Sequence, residues 1–181
     1  MSGKGLRLGR WRQGERFLFV RFILLGVLRK EAVERAAYFA PMAGRERIAY
    51  YVYQISNIVI FLYLFFGRVR EDFSGWFYSG EVFFYGLGLC LCAAAVVCFS
   101  APDSGGMNRN GVHRFSRNPM YVAYFICFMG MALLVQSLVL AAMVVVFQVS
   151  AHWIILAEER WCLENFGAEY KRYMGEVRRY L

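Results

Sequence analysis

The chain has 181 residues, of which 59% are hydrophobic, 18% aromatic and 19% charged, and it carries a net charge of +8. A soluble domain usually has about 45–50% apolar and about 25% charged residues, so this balance excludes an ordinary soluble globule. The charges also fall in blocks between long uncharged runs, which makes the basic surplus a topology signal and a contact for anionic lipid headgroups, and excludes nucleic acid as the expected partner.

Residues 1–16 hold Lys4, Arg7, Arg10, Arg12 and Arg16 against Glu15. The apolar run that follows, Phe17 to Leu28, contains Arg21 and is too short at 1.5 Å per residue to cross a hydrocarbon core of about 30 Å. It reads as an interfacial or partly inserted helix that stops before Pro41, with a tilted fifth span as the alternative. Ile48 to Phe66 and Val82 to Ser100 are uncharged and predict two spans. Between them Trp76 and Tyr78 are placed as interfacial anchors. Gly86-Leu87-Gly88 allows close approach of a neighbouring helix or of a ligand. Pro102 ends the second span, and Asp103-Ser104-Gly105-Gly106 is a loop signal.

Met120 to Leu156 contains no Asp, Glu, Lys or Arg. It is too long for one span, and Gln136-Ser137 is the polar pair near its middle, so a helical hairpin turning there is expected. The tail from Glu158 to Leu181 is a mixed-charge cytoplasmic helix. The blocks 1–16, 29–47, 99–119 and 157–181 hold five, five, three and five Lys/Arg, and 67–81 holds two. The positive-inside rule then puts the loop before the hairpin and the tail on the cytoplasmic side. The expected fold is an all-α polytopic membrane bundle in one domain, with four spans plus the N-terminal interfacial or fifth helix and a C-terminal cytoplasmic helix. Its parts are 1–47, two spans in 48–100, and 101–181. The five cysteines and the two histidines, His113 and His152, lack the spacing of a metal site or a disulfide framework.

Two polar clusters flank the hairpin. Before it stands G-V-H-R-F-S-R-N-P-M-Y, Gly111 to Tyr121, and after it Glu158-Glu159-Arg160. A hairpin returns to the face it left, so these clusters become neighbours. Pro119 suits a first helical turn, with Asn118 as its N-cap. The helix start beside Arg114 and Arg117 attracts an anion, and the glutamates across from it attract a cation. A ligand with an anionic and a cationic end, such as an amino acid moiety, fits between two such walls. Against this, a basic residue beside a membrane helix is more often a topology signal, adjacent glutamates point about 100° apart, and Arg160 can simply pair with Glu164. His152 lies one turn inside the last span, where an ionisable residue is costly.

The order G-V-H-R-F-S-R-N-P-M-Y, uncharged hairpin, E-E-R, then F-G-x-E-Y-x-x-Y-M resembles the isoprenylcysteine carboxyl methyltransferase and phospholipid methyltransferase superfamily over Asn110 to Tyr180. The resemblance implies a membrane enzyme using S-adenosylmethionine, with a lipid or prenylated substrate entering between helices. It implies that Val112, His113, Arg114, Phe115, Arg117, Asn118, Pro119 and Tyr121 form the cofactor pocket together with Glu158 and Glu159. His113 stands where the family usually has Tyr, and Asn118 where it usually has His. Methyl transfer is chiefly positioning and electrostatics in a dry site. Arg117 or Arg160 would hold a carboxylate acceptor, whereas Glu158, Glu159 or His152 would deprotonate an amine; a hydroxyl acceptor also stays open. The alternatives are an NADPH-dependent reductase of the sterol or enone type and a non-enzymatic protein that binds anionic lipid.

Overall fold

The computed structural model describes residues 40–66, 76–100, 102–103 and 105–181. The expectations for Phe17 to Leu28 and for the Trp76 and Tyr78 side chains lie outside the described residues. Among the described residues there are four α-helices, one 3-10 turn and no strand: α1 (Arg45–Phe66), α2 (Trp76–Ser100), the turn Gly111–Arg114, α3 (Pro119–Leu134) and α4 (Leu138–Glu176).

Each helix boundary has a local cause. Glu46 in the first turn of α1 reaches back to accept the Ala43 N–H at 3.1 Å, satisfying one of the donors a helix start leaves open. Pro119 occupies the first turn of α3, where its missing N–H costs nothing. The hairpin turns at Val135–Ser137, as expected. Gln136 there takes a positive φ of 51°, and Ser137 caps α4 by accepting the Leu140 N–H at 3.2 Å. Tyr63 of α1 shares a 2.7 Å hydrogen bond with the same Ser137 hydroxyl.

The helices pack as two pairs joined by the hairpin. The α1 face carrying Tyr53, Ile60 and Leu64 is buried against α4, with Tyr53 stacked on Phe147 at 4.6 Å. Between α2 and α3 the contact is backbone on backbone. A Cβ at Gly88 would lie 2.5 Å from the Cys127 backbone, and one at Gly130 2.6 Å from the Tyr85 N. A Cβ at Gly86 would meet nothing within 4 Å. Helix packing through Gly88 is therefore what the Gly86-Leu87-Gly88 pattern serves.

Two helices are long and apolar enough to cross a bilayer, Ser79–Ser100 within α2 and α4. The apolar α3 is shorter, with 16 residues. Four spans were expected; two pass the test of length and composition. Gln54 and Asn57, with Tyr50, Tyr51 and Tyr53, make α1 less apolar. The packed bundle still leaves apolar side chains outward: Ile48, Ile55 and Leu62 on α1, and Val139, Val145 and Val149 on α4 are exposed. Such a surface suits lipid rather than water. At 1.5 Å per residue the 29 residues of α4 that precede its kink at Gly167 reach about 44 Å, longer than a hydrocarbon core. The uncharged part of α4 ends at Ala157, and the charged remainder begins at Glu158.

Candidate functional site

The hairpin brings the two polar clusters into direct contact. Arg117 donates to Glu159 Oε1 from Nε at 3.1 Å and from Nη2 at 3.0 Å. Its Nη1 donates to the carbonyls of Met174 at 2.9 Å and Val177 at 2.8 Å. Both side chains of the pair are buried, 8% and 5% exposed. The basic and acidic walls expected on either side of the hairpin meet directly through this bridge. A buried carboxylate without countercharge would be expelled or protonated, and two guanidinium groups prevent that.

The second guanidinium belongs to Arg179, which donates to Glu159 Oε2 at 3.0 and 2.8 Å. Burial alone would raise the Glu159 carboxyl, but the Arg179 hydrogen bonds and the Arg117 charge more than offset this and hold it below the usual carboxylate range. Asn118 sits at the N-cap position of α3, yet its side chain makes no capping bond. It donates instead to the Arg179 carbonyl at 3.2 Å and to Glu159 at 3.5 Å. A titratable imidazole is not required for that work.

Glu158, one residue earlier on α4, has a different environment. The Tyr121 hydroxyl donates to it at 2.9 Å, and Tyr121 packs edge-on against Tyr53 of α1. Burial, only partly opposed by the Tyr121 bond and reinforced by the Glu159 charge, pushes the Glu158 carboxyl up to about 7. The two glutamates are thus separated by chemistry: one is locked as an anion between arginines, and the other is poised to exchange a proton near neutrality.

The remaining candidates divide. Val112 accepts the Phe115 and Ser116 N–H groups and shapes the 3-10 turn. His113 is buried with its Nδ1 lacking a hydrogen-bond partner among the described residues, and burial lowers its pKa, keeping the imidazole neutral. Arg114 is exposed, as is Phe115 at 75%. Pro119 is buried at the start of α3. Arg160 departs from the cluster: it makes two 2.7 Å bonds to Glu46 at the start of α1, beside a cavity of about 200 Å³ lined also by Pro41, Met42, Ala157, Trp161 and Glu164. Its ion-pair partner is Glu46 rather than Glu164, the alternative the sequence offered, and it makes no bond to the Arg117–Glu159 pair among the described residues. His152 meets the Tyr180 hydroxyl at 2.6 Å.

The tail motif F-G-x-E-Y-x-x-Y-M has a structural account. Gly167 breaks α4 with φ 53° and ψ −124°, a conformation costly for any residue with a Cβ. The redirected chain buries Tyr170 and Tyr173 with Met107, against Phe166, Cys162 and Met174. The Tyr173 hydroxyl donates to the His113 carbonyl at 2.6 Å, pinning the motif loop to the tail. Arg179, Tyr180 and Ser116 were missed from sequence. The one signal for Arg179 is that a buried Glu159 demands more positive charge than Arg117 alone, and five tail cations compete for that place.

The fold and this junction define the class: an all-α protein with membrane-length helices, whose motif loop is clamped to a glutamate pair across a helical hairpin. Residues 94–169 match the family model for phospholipid methyltransferase. They contain the motif loop, the hairpin and Glu158-Glu159, so the match falls on the segment whose motifs resemble that superfamily. A search of curated proteins finds no match to the chain.

Proposed function

We propose that the protein is an integral membrane methyltransferase that uses S-adenosylmethionine and acts on a lipid or prenylated amphiphile, with an amine headgroup as the acceptor the site favours. In this reading all four helices cross the bilayer, and the motif loop and tail lie on the cytoplasmic side, where Lys and Arg concentrate. The observation that carries the reading is the junction of the motif loop with Glu158-Glu159. The family match supports methyl transfer over nicotinamide-dependent reduction.

The donor set fits the cofactor. His113 Nδ1 is a buried polar atom lacking a partner among the described residues, the glutamates suit cationic centres, and the start of α3 suits a carboxylate. These residues, with Val112, Asn118 and Tyr121, would hold it. Bound there, the cofactor supplies an electrophilic methyl group. The chain's own work is to exclude water with the Tyr53 and Tyr121 rings, keep Glu159 anionic, and manage one proton. An ammonium must lose a proton before its nitrogen can accept a methyl group, and Glu158, whose carboxyl burial pushes up to about 7, is placed to take it. A carboxylate acceptor would need a guanidinium, yet Arg117 and Arg179 are engaged by Glu159 and Arg160 by Glu46. Calorimetric titration of the detergent-solubilised protein with S-adenosylhomocysteine and with NADPH tests the reading. Binding of the first alone is expected. Binding of NADPH alone favours the reductase, and binding of neither by folded protein favours a lipid-binding role.

A further inference from the structure

Beyond Glu176 the chain turns back across the motif loop, starting with Val177 in extended backbone at φ −123° and ψ 135°. Every residue from 178 to 180 is then tied down. The Arg178 carbonyl accepts the Arg117 N–H at 2.9 Å. The Arg179 carbonyl accepts from Asn118 at 3.2 Å and from the Ser116 hydroxyl at 3.4 Å, while its guanidinium binds Glu159. Tyr180 meets His152 at 2.6 Å. His152 and Glu159 lie two helical turns apart on one face of α4, so consecutive tail residues grip the same face.

We propose that residues 177–180 form a strap over the site, and that Arg179 is its latch: a positioning residue that holds Glu159 until a ligand's cationic group replaces it. The two arginines on Glu159 are not equivalent. Arg117 is 8% exposed and also carries the Met174 and Val177 carbonyls, so its removal would strand buried groups. Arg179 is 32% exposed and its guanidinium bonds are to Glu159 alone among the hydrogen bonds seen. Its charge can return to water at little cost. Replacing it with an ammonium or sulfonium keeps the buried carboxylate compensated at every stage, whereas displacing Arg117 would not. Arg179 and Tyr180 lie beyond the residues matched to the family. The latch itself stands on geometry, and its role in admitting a ligand rests on the proposed function.

Two measurements separate these parts. In ligand-free protein, Arg179→Ala should speed amide hydrogen exchange at Arg117, whose N–H bonds the Arg178 carbonyl, by about tenfold, the scale of a partly exposed charge-assisted bond. In stopped flow, the same variant should bind S-adenosylhomocysteine with an association rate about tenfold faster. Arg179→Lys, which keeps the charge, should return both rates to within about threefold of wild type; a merely structural role would give no such rescue of the association rate. Tyr180→Phe, which loses only the His152 contact, should shift both in the same direction by less, and it carries the test should Arg179→Ala not fold. Unchanged Arg117 exchange in both variants overturns the latch. Faster exchange with an unchanged association rate overturns its role in admitting ligand. Faster exchange in a wild-type background that binds no S-adenosylhomocysteine overturns the cofactor reading and, with it, the gating.

Discussion

Replacing Arg117 by Ala is the sharpest test of how the site is held together. Four side-chain hydrogen bonds disappear, two to Glu159 and two to the Met174 and Val177 carbonyls. Removing one partner of a buried ion pair costs about 3–5 kcal/mol, but Arg179 stays on Glu159 and retains part of the compensation. The carbonyls lose donors worth about 1 kcal/mol each and are partly rewetted. A net loss of about 3 kcal/mol follows. At 2–4 °C per kcal/mol for a chain of this size, the thermal midpoint should fall by about 6–12 °C. Arg160→Ala is the control. Its bridge to Glu46 is bidentate, but Arg160 is 46% exposed, and such pairs contribute about 1 kcal/mol or less. Its midpoint should fall by at most about 4 °C. Both are read by differential scanning fluorimetry in the same detergent. Equal shifts, or a larger one for Arg160→Ala, would refute the ranking of the two bridges by burial.

Three further outcomes are expected. If Glu158 accepts the acceptor's proton, turnover should rise with pH through about 7, and Glu158→Gln should abolish that limb; because the folded-state value is raised, stability from Glu158 is fully present below its ordinary value of 4.5 and is lost as pH climbs through about 7. Gly88→Ala should cost about 2 kcal/mol because its methyl meets Cys127 backbone, while Gly86→Ala, with open space, should cost nothing, both measured by thermal unfolding. Gly167→Ala meets no atom within 4 Å, so its cost of about 1–2 kcal/mol is purely that of the left-handed backbone; a neutral result would mean the kink is not held.

Charge-free length made the helices and the hairpin legible: the Gln136-Ser137 turn and the meeting of the motif loop with the Glu158-Glu159 cluster both follow from an apolar run of known length. Motif order pointed to the family segment that residues 94–169 match. What local pattern cannot convey is which partner a long side chain selects. Arg160 and Arg179 are equally plausible tail cations in the sequence, and the turn of the chain beyond Glu176 decides that Arg179 reaches Glu159 while Arg160 meets Glu46. The division of labour between Glu158 and Glu159 was hidden for the same reason, since it depends on Tyr121 and Arg179 arriving from separate elements. Asn118 looked like a helix cap because its residue type and position fit, and tertiary hydrogen bonds outcompeted that local use.

The seam where Gly88 and Gly130 bring α2 and α3 together also constrains how the molecule can breathe. Main chain resting on main chain has no rotamers to swing aside, so these two rods behave as a stiff spine. Any sideways doorway for a greasy tail has to open along another groove of the bundle, where side chains rather than peptide groups form the hinge.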